Sequence, residues 1–158
     1  MRVGLLAFET NRGAFVPTLN AEGAEENYAL RRSIEPQLLC RSIAKMSIVD
    51  LAEAEVTLDT AASSITESNW HFHKALYAAS GWDRGMAIAE MLHTAVAPYV
   101  LLYTEVLGGA PESSDEHREM LDLCRKGQSD RAVAVLESHL DGASRTLVEF
   151  LEDGEAQQ

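Results

Sequence analysis

The sequence predicts an all-α fold: an antiparallel bundle of about six helices, preceded by a short β-hairpin. Three observations predict it. From Asn20 onward apolar residues recur three and four apart, the period of one helix face. Serine, asparagine and glycine punctuation cuts that stretch into helix-sized pieces with short connections, so neighbours run antiparallel. Only residues 3–18 read otherwise, as strand, turn, strand.

In that first stretch Val3 to Phe8 forms one strand, Thr10-Asn11-Arg12-Gly13 the turn, and Ala14 to Val16 the return, ended by Pro17. A lone hairpin is marginal in water and needs a surface to pack on. Asn20 then N-caps a helix to about Met46, with Tyr28, Ile34, Leu38, Leu39 and Ile43 apolar and Pro36 a candidate kink. Ser47 begins a second helix, to about Ala62, with Leu51, Ala54, Val56 and Leu58 inward. Ser64-Ile65-Thr66-Glu67 is a capping box for a third, ending near Gly81. The fourth, from about Asp83 to Leu107, is apolar nearly all round, which places it centrally or at an interface. Ser113 to Glu116 caps a fifth that ends at Gly127, and Ser129 caps a sixth from Asp130 to about Glu152.

Composition narrows the function. Apolar residues make up 46% of the 158, enough for a core in one domain. A net charge of -12 argues against this chain holding nucleic acid or an anionic membrane. No apolar run reaches membrane-spanning length and the N-terminus has no signal-peptide pattern, so a cytoplasmic protein is expected. Cys40 and Cys124 read as reduced, buried thiols.

The chemistry-bearing residues are histidines on apolar faces. Ile65, Asn69, Phe72, Leu76 and Ala79 form one stripe of the third helix, with His73 four residues after Asn69. His117 shares a stripe with Met120, Leu121 and Cys124; His139 shares one with Ala132, Leu136, Ala143, Leu147 and Phe150. A buried imidazole is costly without a polar partner, and a metal ion is the simplest partner three of them can share. The alternative for each is a core histidine satisfied by a neighbouring hydrogen bond. His71 points away from the stripe, to solvent. His93 competes, with Glu90 three residues before it, but a di-iron bundle needs Glu-x-x-His twice and it occurs once. Arg31 and Arg32 are either surface ion-pair partners or a bidentate clamp on a carboxylate. No catalytic residue is expected: Glu116 adjoins His117 but on another face of its helix, so no general base stands beside the motif.

Leu30-Arg31-Arg32-Ser33-Ile34-Glu35-Pro36, Asn69-Trp70-His71-Phe72-His73-Lys74-Ala75-Leu76, Glu116-His117-Arg118 and Ser138-His139-Leu140 occur in that order. In these motifs the chain resembles the effector-binding (FCD) domain of FadR-type GntR transcription regulators, from residue 20 to the end. Thr10 to Val16 then resembles the wing of a GntR winged helix. The resemblance divides the chain into a wing remnant, 1–19, and an FCD-like domain, 20–158. It implies that an operator-reading helix-turn-helix precedes the wing in a full-length form; Met1 falls inside the wing, so operator binding is expected only of that form. It also implies a homodimer, no enzymatic activity, and a pocket for a small organic acid. The metal ligands it implies are Asn69, His73, His117 and His139, with Arg31 facing the pocket as a carboxylate anchor.

Asn69 stands where many members of that family carry Asp. Three imidazoles and an amide leave a divalent cation its full charge, which weakens metal binding and strengthens the pull on an anionic effector. A nitrogen-rich set favours Zn or Ni over Mg or Ca. The alternatives are a metal-dependent hydrolase using an open three-histidine site, and a metal-free helical interaction module.

Overall fold

A computed structural model describes the backbone of residues 7–9, 13–15, 20–59, 65–106 and 110–156, and the side chains of 20–58, 69–97, 99–100 and 114–154. Strands β1 (Ala7–Glu9) and β2 (Gly13–Phe15) pair antiparallel, Ala7 opposite Phe15. Gly13 is the first residue of β2 rather than the last of the turn. The expected turn residues Thr10 to Arg12 and the closing Pro17 lie outside the described residues. Six helices follow: α1 (Ala21–Ile43), α2 (Ile48–Asp59), α3 (Ile65–Tyr77), α4 (Asp83–Val106), α5 (Ala110–Arg125) and α6 (Ser129–Ala156), with a 3-10 turn at Ala78–Ser80.

Helix starts follow local hydrogen bonding. Asn20 Oδ1 accepts from the Gly23 N–H at 2.9 Å, the expected N-cap of α1. At α2 the Asp50 carboxylate accepts from the Ser47 N–H at 2.6 Å while Ser47 Oγ accepts from the Val49 N–H at 3.2 Å, a reciprocal cap. The Ser64 cap of α3 lies outside the described residues. Pro36 sits buried inside an unbroken α1.

Two expected starts are corrected. Helix α5 begins at Ala110, a turn before Ser113, because Pro111 falls in the first turn, where a missing N–H costs nothing. Helix α6 begins at Ser129 itself, and the Ser129 hydroxyl has no hydrogen-bond partner among the described residues. The reason is the tightness of the connection. Gly127, at φ +64°, ends α5 with its N–H on the Cys124 carbonyl and the Gln128 N–H on the Leu123 carbonyl. Gln128 then already accepts the first α6 bond, from the Ala132 N–H at 2.9 Å.

Helix α6 packs along α1 and α5, α4 against α1 and α3, and α2 against α3 and α5. Tyr28, Leu38 and Leu39 of α1, Phe72, Leu76 and Tyr77 of α3, Val96 of α4, Met120 of α5 and Leu136 and Leu140 of α6 form one buried core. Over its described side chains, helix α4 is one-sided: Ala89, Leu92 and Val96 are buried, but Ile88 is 41% and Met91 53% exposed. Val56 also faces outward, because α2 turns Ala54 rather than Val56 to the core. Cys40, expected inside, is exposed, one residue past the buried Leu38–Leu39 pair on α1; Cys124 is buried, and burial pushes its thiol up to about 12. Among the described residues no helix is long and apolar enough to cross a membrane.

Candidate metal centre

The helices bring three of the sequence-predicted residues together. His73 of α3, His117 of α5 and His139 of α6 are all buried, and one ring nitrogen of each lies within 4.8 Å of the other two. Their ring centroids are 4.8–5.4 Å apart. Phe72 lies against His117, with centroids 4.5 Å apart, and walls the cluster on one side. Asn69 sits one turn before His73 on α3; its Oδ1 is buried and unpartnered among the described residues.

The outer nitrogens of two imidazoles are occupied. His139 Nδ1 lies 2.7 Å from Glu116 Oε2. Sequence reasoning set Glu116 aside because it is on another face of α5 from the histidine. That face is the one turned to α6, so the carboxylate reaches His139 rather than His117. On His73, Nδ1 lies 3.1 Å from the Tyr77 phenol oxygen, and that phenol donates its proton to Glu35 Oε2 at 2.7 Å. A phenol has one proton, so His73 Nδ1 must be the donor in the first bond, and its Nε2 carries the lone pair. His73 Nε2 and His117 Nε2 have no hydrogen-bond partner among the described residues. Burial, then the neighbouring imidazoles, hold His73 and His117 well below the usual histidine range, so both rings are neutral at neutral pH.

Arg31, the expected carboxylate anchor, is buried on α1, and its partners are internal. Its Nε donates to Glu35 Oε1 at 2.6 Å and its Nη2 to His93 Nε2 at 2.8 Å, while the Tyr28 ring stacks 4.9 Å from its guanidinium carbon. Burial alone would raise the Glu35 carboxyl, but the Arg31 guanidinium beside it holds it well below the usual carboxylate range. His93 is pushed down to about 4 by burial and by Arg31. A neutral His93 accepting from Arg31 cannot also donate from Nε2, so its 3.2 Å approach to Glu35 is a packing contact rather than an ion pair at neutral pH. Glu90, its sequence partner in Glu-x-x-His, is exposed and bound to Trp70 Nε1 at 3.2 Å and Lys74 at 3.5 Å, so the two do not share a ligand position. Arg32 makes a surface pair with Asp141 and His71 is exposed. Sequence reasoning missed Glu35 and Tyr77. A signal for Glu35 was present: it lies one turn after Arg31 on the same face as Tyr28 and Leu38.

The donor set suits a borderline metal. Three buried imidazoles from three helices converge, with His73 Nε2 and His117 Nε2 unpartnered among the described residues and His139 backed by a carboxylate; the orphaned Asn69 amide oxygen sits one turn before His73, and buried groups of this kind are rarely left unsatisfied. The positions therefore fit Zn or Ni better than Mg or Ca, which take oxygen ligands.

Fold and site together define a helical ligand-sensing bundle. The chain matches the FCD domain over residues 26–142, most of its length. It belongs to the FCD domain family, found in GntR-type transcription regulators, which are regulators and not enzymes. Its structure is similar to that of a GntR family regulator from Pseudomonas syringae pv. tomato str. DC3000, with a TM-score of 0.79 and 28% identity over 97% of this chain and 67% of that one. It is also similar to Escherichia coli McbR/YncC, at 0.78 and 15% identity over 92% of this chain and 77% of that one. A GntR regulator from Rhodococcus sp. RHA1 aligns at 0.71 and 21% identity, over 92% and 73% of the two chains. No curated protein matches the chain by sequence.

Proposed function

We propose that this chain senses a small organic acid through a divalent metal, Zn or Ni, held by Asn69, His73, His117 and His139. The observation that carries the reading is the convergence of three buried histidines, one ring nitrogen of each within 4.8 Å of the others, with His73 Nε2 and His117 Nε2 unpartnered among the described residues. The metal would supply a Lewis-acid position for a carboxylate. The protein's own groups present the neutral imidazoles of His73 and His117, keep Glu116 behind His139, and exclude water with Phe72. Arg31 is a secondary anchor through the guanidinium edge that Glu35 and His93 leave unused. The sensing unit is a homodimer, and residues 1–19 are the wing of a winged helix whose operator-reading part belongs to a full-length form. Effector binding shifts the dimer geometry and thereby operator affinity.

The test is metal analysis and calorimetric titration of chelator-stripped protein with Zn and with Ni. One metal per chain is expected, with His139→Ala losing most of the affinity. Protein that takes up neither metal, with His139→Ala unchanged in stability in the presence or absence of Zn, would falsify the reading.

A further inference from the structure

Of the three histidines at the centre, His73 has its outer nitrogen fixed by a chain of hydrogen bonds that ends on a different helix. The chain runs from His73 Nδ1 to the Tyr77 oxygen (3.1 Å), from the Tyr77 O–H to Glu35 Oε2 (2.7 Å), and from Glu35 Oε1 to Arg31 Nε (2.6 Å). His73, Tyr77 and Glu35 are all fully buried, so water does not substitute for any member. Each link has one allowed direction. A guanidinium only donates, so Glu35 must accept on Oε1; the carboxylate, ionised by that contact, must accept on Oε2 as well; the phenol must therefore donate to Glu35 and receive from His73. The direction imposed at Arg31 ends as a proton on His73 Nδ1 and a lone pair on His73 Nε2.

We infer that Tyr77 and Glu35 are positioning residues for the metal centre: they hold His73 as the Nδ1–H tautomer and so present its Nε2 lone pair toward His117 and His139. The inference rests on the metal reading above and adds residues to it. A ring with the opposite tautomer would aim an N–H at the other two nitrogens and could not ligate a metal without first moving its proton. The same chain ties the centre to α1, the helix that begins six residues after β2.

Two measurements on the whole chain test this. The first is the nitrogen-15 signature of the His73 ring in metal-free protein, assigned with His73→Gln. Wild type is expected to show the proton on Nδ1, and Tyr77→Phe a mixture or the Nε2–H form. The second is Zn affinity: Tyr77→Phe is expected to weaken binding about 10- to 100-fold, the scale of lost outer-shell partners. A cavity variant, Leu123→Ala, controls for general destabilisation and is expected to leave Zn affinity per folded molecule unchanged. An Nε2–H tautomer in wild type, or Tyr77→Phe binding Zn as tightly as wild type, overturns the inference. Wild type binding no Zn or Ni overturns the metal reading instead, and the tautomer signature still reports on the relay. Should Tyr77→Phe fail to fold, the double variant Arg31→Met/Glu35→Leu, which strands no charge, carries the same two readouts, since the phenol then has no carboxylate to donate to.

Discussion

Replacing Glu35 by leucine removes the carboxylate that, among the described residues, balances Arg31. Both groups are buried, with Nε and Oε1 2.6 Å apart. Arginine cannot escape by losing its proton, so the variant keeps a buried cation with no counter-charge at every accessible pH. Breaking a buried pair in this way costs about 3–5 kcal/mol. At about 2–4 °C per kcal/mol for a chain of this size, the midpoint of thermal unfolding falls by about 6–20 °C. The double variant Arg31→Met/Glu35→Leu removes the stranded charge and is expected to return to within about 2 kcal/mol of wild type, since buried pairs replaced by apolar groups are often neutral. The assay is urea unfolding of chelator-stripped protein at pH 7, followed by circular dichroism, for wild type, both single variants and the double. A Glu35→Leu deficit under about 1 kcal/mol, or a double variant no better than Glu35→Leu, would refute the argument that the pair is dry and mutually dependent.

Metal-free protein should lose stability as pH falls. His93 is pushed from 6.5 to about 4 by burial, so the unfolded chain takes up its proton first, and about 3 kcal/mol is lost between those two values; urea midpoints that stay flat from pH 7 to 5 contradict this. Asn69→Asp should tighten Zn binding by at least about tenfold and weaken the response to added acetate, because the site then carries its own anionic ligand; calorimetry with Zn alone and with Zn plus acetate reads both. Chelation should abolish acetate binding altogether even though Arg31 is intact, and acetate binding by the stripped protein would contradict a metal-centred attraction.

How much of this was legible in the sequence depends on the range of the interaction. His73, His117 and His139 were readable because a 3.6-residue period fixes which face of a helix a side chain occupies, and each sits in a row of residues that pack. The caps at Asn20 and Ser47 were readable because a cap bond spans only two or three residues. The Ser129 cap failed for a related reason: the Gly127 helix end consumed the residue before it, a conflict between two adjacent signals that each looked sound alone. The pairing of Glu35 with Arg31 was legible one turn apart on α1 and was missed, whereas the reach of Tyr77 to Glu35 and of Glu116 to His139 crosses a helix–helix contact, and no local period encodes which neighbour a side chain will meet. Glu116 shows the point most sharply. Its position on a different face from His117 was read correctly, yet that same displacement turns it toward α6 and onto His139.

The charge balance of the site decides which group attracts an anion. Arg31 is the obvious candidate by residue type, but Glu35 already neutralises it, and His93 takes a further N–H. The second nearby carboxylate, Glu116, is bound to the outer nitrogen of His139 and does not reach the inner face through that contact. Both carboxylates therefore lie one group back from the imidazoles that converge, and none of the four candidate ligands is a carboxylate. A divalent ion held there would keep most of its charge, partly offset through the rings by Glu35 and Glu116 at a distance where attraction is already weakened. With such an ion bound, the sum would leave a positive centre in a chain whose net charge is -12, a local reversal of sign in the core. An incoming carboxylate would be repelled by the surface at long range and attracted only after desolvation at the centre. Affinity in such a site follows contact chemistry rather than electrostatic steering, and salt has correspondingly little effect on it.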